Sequence, residues 1–168
     1  TCMRTAVICG GREFRIDKVY RDMLRELLSN LSVKEVVTGG ARGGDAAGKD
    51  VASAMGLKHK EILAEWGDLS KKPCRVKTNS RGKYNSLAGH NRNQEMLDYA
   101  KNNCSNPVCI AFPGGRGTGD MVRRALAASV RVYEIFSEDS DTRRGIHIME
   151  KDGYPQILMS IDVTSQDL

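Results

Sequence analysis

Three segments of this chain combine paired glycines with an arginine: Gly10-Gly11-Arg12, Gly39-Gly40-Ala41-Arg42-Gly43-Gly44-Asp45 and Pro113-Gly114-Gly115-Arg116-Gly117-Thr118-Gly119-Asp120. Glycine lets backbone N–H groups approach an anion with no Cβ in the way, and a guanidinium offers paired N–H donors to phosphate. These residue types point to a phosphorylated ligand. The last segment is the richest, with a proline turn, several glycines, the Thr118 hydroxyl and a helix predicted to start at Gly119 or Asp120. The dipole at such a helix start adds positive charge. The segment lacks the Gly-Lys-Ser/Thr ending of a Walker A loop and the Gly-x-Gly-x-x-Gly of dinucleotide enzymes, which disfavours kinase and hydride chemistry. A single glycine turn can serve packing alone; three of them following three strands favour a ligand.

Other candidates are more scattered. Arg92 lies in His90-Asn91-Arg92-Asn93-Gln94-Glu95-Met96, near a predicted helix start. There its guanidinium could clamp phosphate while Asn93 reads a base or ribose edge; alternatively this is a solvent-facing turn with Glu95 offsetting Arg92. Trp66, the only tryptophan, follows the third predicted strand and either stacks a base or plugs the core. His59, His90 and His147 are far apart and fit no Ser/His/Asp order. The five cysteines include no Cys-x-x-Cys pair, so no metal and no cofactor is expected. Between Asp68 and Ala88 the cations Lys71, Lys72, Arg75, Lys77, Arg81 and Lys83 face only Asp68. This tract reads as a solvated loop, a phosphate-closing lid or a nucleic-acid contact.

The elements that must position these residues follow an alternating rhythm. Short β-branched runs at Thr5–Cys9, Glu35–Thr38, Lys58–Ala64, Pro107–Phe112 and Val130–Ile135 alternate with helical patterns. Those helices are predicted from about Asp17, capped by its side chain, from Asp45 as a cap to about Met55, from about Gly89 to Asn102, and through about Ala128. The pattern predicts an α/β fold: a Rossmann-like, doubly wound and mainly parallel sheet. The apolar 107–112 run should be central, and the charged 58–64 run an edge. Ligands of such sheets bind where the strand order reverses, which places the site between the loops after the first and fourth strands. Beyond residue 136 the rhythm changes. An acidic Ser137–Asp141 stretch is followed by two alternating segments around Lys151-Asp152-Gly153, which predicts a C-terminal β-hairpin extension. The expected organisation is a nucleotide-binding domain over 1–136, with a basic insertion at about 67–88, and an extension over 137–168.

The chain has 168 residues, a formal net charge of +5, 40% hydrophobic and 28% charged residues. That suits one globular domain large enough to bury its own core. No stretch resembles a membrane span or a signal peptide, so a cytoplasmic protein with no membrane partner is expected. The mild surplus of cations suits an anionic ligand. Aromatic residues are 5% of the chain and offer few stacking platforms, so nucleic acid is not the expected partner.

Taken together, Ile8-Cys-Gly-Gly-Arg12, Thr38-Gly-Gly-Ala-Arg-Gly-Gly-Asp45, Ala64-Glu-Trp66, Arg92-Asn-Gln-Glu-Met96 and Ala111-Phe-Pro-Gly-Gly-Arg-Gly-Thr-Gly-Asp-Met-Val122 resemble the YspA/YpsA-related branch of the SLOG superfamily. That superfamily includes Lonely Guy phosphoribohydrolases and DprA. The resemblance spans about residues 5 to 135 and implies a Rossmann-like fold. It also implies a nucleotide or nucleotide-derived ligand, with phosphate on the Gly114–Thr118 turn and a site near a dimer interface. A homodimer or higher homo-oligomer is therefore expected. Lonely Guy enzymes carry glutamate three residues after their Gly-Thr pair, and Met121 stands there in this chain. Methionine can neither steady an oxocarbenium-like sugar nor orient water.

The expected function is thus a binder of a nucleotide-like, possibly cyclic, signal without robust catalysis, such as a phage protein that sequesters an immune second messenger in the host cytoplasm. The alternative is a phosphoribohydrolase releasing base from nucleoside 5′-monophosphates, with Arg92 clamping phosphate and Glu95 or Asp120 as its carboxylate. A second alternative is a DprA-like single-stranded DNA binder using the basic tract.

Overall fold

A computed structural model of the chain describes residues 4–135, 146–151 and 154–159. Strand β1 (Arg4–Cys9) is almost wholly buried and leads into α1 (Lys18–Asn30). The helix is capped as the sequence predicts, Asp17 accepting from the Tyr20 amide. Strand β2 (Val33–Thr38) leads to α2 (Gly44–Ala54), and β3 (Lys58–Glu61) follows. A small hairpin, β4 (Val76–Asn79) and β5 (Gly82–Asn85), precedes α3 (Ala88–Asn103). Then come β6 (Val108–Ala111), α4 (Arg116–Ala127), β7 (Arg131–Ile135), β8 (Ile146–Lys151) and β9 (Tyr154–Met159).

The strands form a seven-stranded sheet in the order β3-β2-β1-β6-β7-β9-β8 and a separate two-stranded sheet, β4-β5. From β3 to β7 every pairing is parallel, so the α/β, Rossmann-like and mainly parallel architecture expected from the sequence is present. Strand β6 is central and the charged β3 is an edge, both as predicted. The alternating faces of the central strands split the core in two. Ala6, Ile8, Val36, Val108 and Ile110 meet Tyr20, Leu24 and Leu28 of α1 and Val51 and Ala52 of α2. Val7, Val37, Cys109 and Ala111 meet Met96, Leu97 and Ala100 of α3 and Met121 and Ala125 of α4. Two helices on each face make the sheet doubly wound.

The connections determine where a site can form. From β1 the chain winds outward to β2 and β3, then crosses back through α3 to β6 on the other side of β1 and continues outward to β7. The order therefore reverses between β1 and β6, which leaves a crevice above their carboxyl ends.

Three local readings are corrected. Helix α2 is entered from Gly43 and begins at Gly44, so Asp45 lies in its first turn and is not its cap. Helix α4 begins at Arg116 and not at Gly119 or Asp120, so Gly117 and Thr118 belong to its first turn. The basic tract contains a hairpin where the sequence shows no clean period. The C-terminal hairpin is present as β8 and β9, antiparallel to each other, with β9 parallel to β7. The acidic stretch before it and the Asp152-Gly153 turn lie outside the described residues. Among the described residues no helix is long and apolar enough to cross a membrane.

Candidate functional site

The loops at the carboxyl rim are drawn together by backbone contact. Gly11 donates its amide to the Pro113 carbonyl at 2.9 Å, joining the loop after β1 to the loop after β6. A Cβ on Gly10 would lie 2.8 Å from Phe112 Cβ and 3.0 Å from Gly44 Cα, so the loop after β2 packs on the loop after β1 at a distance only glycine allows. Gly43 has φ +73°, and a side chain there would run into the Gly11 carbonyl. Much of the glycine content at this rim thus serves loop-to-loop packing.

Between these loops and the start of α3 lies a cavity of about 480 Å³. Gly10, Gly11 and Arg12 at the end of β1 line it, and Gly115, Gly117 and Thr118 bring in the first turn of α4. Asp45, Trp66, Ser86, Gly89, His90, Arg92 and Asn93 also line it. A Cβ on Gly89 would lie in ordinary contact with the Trp66 ring, at 3.4 Å, which places the indole beside the start of α3.

Arg92 is half-buried and donates through Nη1 to the Gly39 carbonyl at 2.6 Å and through Nε to Asn93 Oδ1 at 3.3 Å. The guanidinium occupies the space a Gly39 side chain would need. Burial pulls its pKa below the ordinary arginine value, and the charge of Asp45 opposes that pull. Asp45 is itself buried and accepts from the Ala41 amide at 3.1 Å. Burial raises its pKa, while the Ala41 and Gly39 amides and the Arg92 and Arg12 charges draw it back. The cavity lining therefore includes two guanidinium groups, Arg12 and Arg92, together with the Asp45 carboxyl, whose pKa burial holds above its ordinary value.

Asn93 is buried, and its Nδ2 donates to the Gly117 carbonyl at 3.1 Å and to Asp120 Oδ2 at 3.0 Å. Its oxygen is taken by Arg92, so its amide joins α3 to α4 and is not free to read a base edge. Asp120 also receives Arg123 Nη2 at 2.6 Å and Arg124 Nε at 2.8 Å, with His90 Nδ1 at 3.9 Å. Burial raises its pKa, but Arg124, Asn93 and the nearby charges outweigh it and leave the carboxyl below its ordinary value. Glu95 pairs with Lys71, which also reaches Glu65 at 3.3 Å. Neither Asp120 nor Glu95 lines the cavity, and Met121 is fully buried in the core.

Of the residues singled out in the sequence, Gly10, Gly11, Arg12, Asp45, Trp66, Arg92, Asn93, Gly115, Gly117 and Thr118 are brought together around the cavity. Gly39, Gly40, Arg42, Gly43, Gly114 and Arg116 are not among its lining residues. Gly39 supports Arg92, Gly40 abuts Leu63 and Glu61, and Arg42 pairs with Glu13 at 3.1 Å on the surface. Gly114 packs against Thr118 and the Gly11 amide. Sequence reasoning missed Cys9, Glu13, Ala41, Ser86, Gly89, His90 and Met96 in the lining. Cys9 could have been found as the last residue of a strand facing the site, and His90 from its place one helical turn before Asn93 and Gln94; Ser86 carried no signal. His59 is bonded to Thr38 at 2.7 Å, away from the lining. No protein-family model matches this sequence, and no curated protein matches it.

Proposed function

We propose that the protein binds a nucleotide or nucleotide-derived ligand in the crevice between β1 and β6 and does not turn it over efficiently. The observation that carries this reading is the cavity at the strand-order reversal, rimmed by the amide-bearing first turn of α4 and faced by Arg12 and Arg92. Amides at Gly115, Gly117 and Thr118 would cradle phosphate at the positive end of the helix. Arg92, held by the Gly39 carbonyl, would present its remaining N–H donors from a fixed position, and Trp66 would stack the base. A volume of about 480 Å³ is adequate for a nucleotide.

The carboxylates support low turnover: the two in the lining, Asp45 and Glu13, are engaged by the Ala41 amide and by Arg42, and the two weighed as catalytic, Asp120 and Glu95, lie outside it. Glycosidic cleavage needs a carboxylate beside the sugar. Asp120 is committed to two arginines and an asparagine, and Glu95 to a lysine, both outside the lining. This favours a binder over a phosphoribohydrolase, and the SLOG resemblance supports the nucleotide class. The biological role in this reading is sequestration of a nucleotide signal, such as an immune second messenger. Strand β8 ends the sheet with an unpaired edge among the described residues, which supports a homo-oligomer joined there.

The test is calorimetric titration with nucleoside monophosphates and cyclic dinucleotides, with mass spectrometry of small molecules released from the purified protein by heat. Saturable binding is expected, weakened about tenfold or more in Arg92→Ala through loss of a charge-assisted phosphate contact. No binding by any of these ligands overturns the reading. Free base released from a monophosphate overturns its non-catalytic part.

A further inference from the structure

The β4–β5 hairpin has no core of its own: every residue of β4 is exposed, and in β5 only Asn85 is buried. A two-stranded sheet without an apolar face is marginal in water. Here its base is tied down chiefly by one side chain, with Ser86 and Asn91 adding bonds to the Arg75 and Pro73 carbonyls. Asn85 accepts from the Arg75 and Leu87 amides, both at 3.0 Å, and donates to the Lys71 and Pro73 carbonyls, while its own amide donates to the Trp66 carbonyl at 2.7 Å. The hairpin is thus anchored on the residue that forms the cavity wall.

Its pairing aligns an aromatic and a cation on one face. Lys77 is directly opposite Tyr84, so both side chains project from the same side of the hairpin. The Tyr84 ring packs edge-on against Trp66, centroids 6.5 Å apart, and Trp66, 41% exposed, lines the cavity. Indole, phenol ring and ammonium therefore form one surface leading out of the cavity. Lys72, Arg75, Lys77, Arg81 and Lys83 have no ion-pair partner among the described residues; only Lys71 of the tract is paired, with Glu65 and Glu95. Unneutralised cations beside exposed rings are what a single-stranded nucleic acid binds through its phosphates and bases. The low aromatic content of the chain matters less than the placement of two of its rings.

We propose that the cavity takes the terminal nucleotide of a single-stranded oligonucleotide, its base on Trp66, and that the next base and phosphate lie on Tyr84 and Lys77. This rests on the nucleotide reading of the cavity and extends it to the chemical class of the ligand. Quenching of Trp66, the only tryptophan, reports binding directly. The probes are the four ribonucleoside 5′-monophosphates and 5′-phosphorylated hexamers of rA, rU and dT. At least one hexamer should bind about tenfold or more tighter than any monophosphate, and Tyr84→Ala should remove most of that advantage, as loss of a stacked base does. Log affinity for the hexamer should fall with log salt by about 0.7 per phosphate contacted. Lys77→Ala should make that slope shallower while leaving monophosphate binding unchanged. Hexamers binding no tighter than monophosphates, or a slope untouched by Lys77→Ala, overturn the inference and leave the nucleotide cavity standing. Failure of both probe sets to bind overturns the inference, and if no cyclic dinucleotide binds either, the nucleotide reading falls along with it.

Discussion

Asp120 is 2% exposed and still ionised, because Arg123, Arg124 and Asn93 all donate to it. A buried carboxylate with that many donors is a joint between α3 and α4, and an amide in its place removes the charge and one acceptor and sets an N–H donor against the others. Asp120→Asn should cost about 2–4 kcal/mol at neutral pH, read from urea unfolding. The pH dependence gives a second, independent check. Its folded pKa lies below the ordinary 3.8, so the stability it contributes is present above that value and is lost as pH falls through the folded pKa. The gap between wild type and Asp120→Asn should therefore hold from neutrality down to about pH 4 and close below it. A gap independent of pH would mean that shape at this position matters and charge does not. The same geometry explains why Asp120, two residues after the Gly-Thr pair in sequence, is not a catalytic candidate in space.

The start of α4 separates two uses of glycine within a few residues. A Cβ on Gly114 would lie 2.6 Å from the Gly11 amide nitrogen and strike the Thr118 side chain, whereas one on Gly117 has no atom within 4 Å. Gly114→Ala should destabilise by roughly 1–3 kcal/mol by forcing apart the loops after β1 and β6. Gly117→Ala should leave stability unchanged or raise it by up to about 1 kcal/mol, since alanine is the better helix former, yet weaken nucleotide binding because the methyl enters the cavity. Thermal melts paired with calorimetric titration of both variants check this, and a Gly117→Ala protein that binds normally would remove the α4 turn from the site. These glycines also show what was legible in the sequence. The strands were, because runs such as Ala6-Val7-Ile8 and Val108-Cys109-Ile110 admit little else, and their order of loops located the crevice between β1 and β6. The first turn of α4 was not, since Gly117 and Gly119 weaken the helical signal that tertiary contacts restore. The β4–β5 hairpin was hidden for a different reason: Val76-Lys-Thr-Asn79 and Gly82-Lys-Tyr-Asn85 bury no face, and Asn85 reads as a loop residue although it organises the segment. The partners of Asp120 and Glu95 lie up to tens of residues away in sequence, and only the packing of α3, α4 and the basic tract reveals them.

At the scale of the whole molecule, the sheet is asymmetric in how it ends. On one side β3 carries Lys58, Lys60 and Glu61, charges that discourage pairing with another chain. On the other side β7 is not an edge, because β9 pairs with it in parallel through Tyr133, Glu134 and Ile135, and β8 closes the hairpin. The five strands from β3 to β7 already have helices on both faces, and every described residue that lines the cavity falls between Cys9 and Thr118, so among the described residues the C-terminal hairpin adds to the sheet without contributing to the site. Truncation after Ile135 should then leave a protein that still folds and still binds the ligand of the wild type. It should be less stable by about 2–4 kcal/mol, the sum of a few ladder hydrogen bonds, and should associate through the uncovered β7 edge. Denaturant titration and light scattering measure the two effects, and ligand titration the third. A truncated chain that unfolds outright would make the hairpin part of the folding unit, and one that folds but no longer binds would place a ligand contact beyond residue 135.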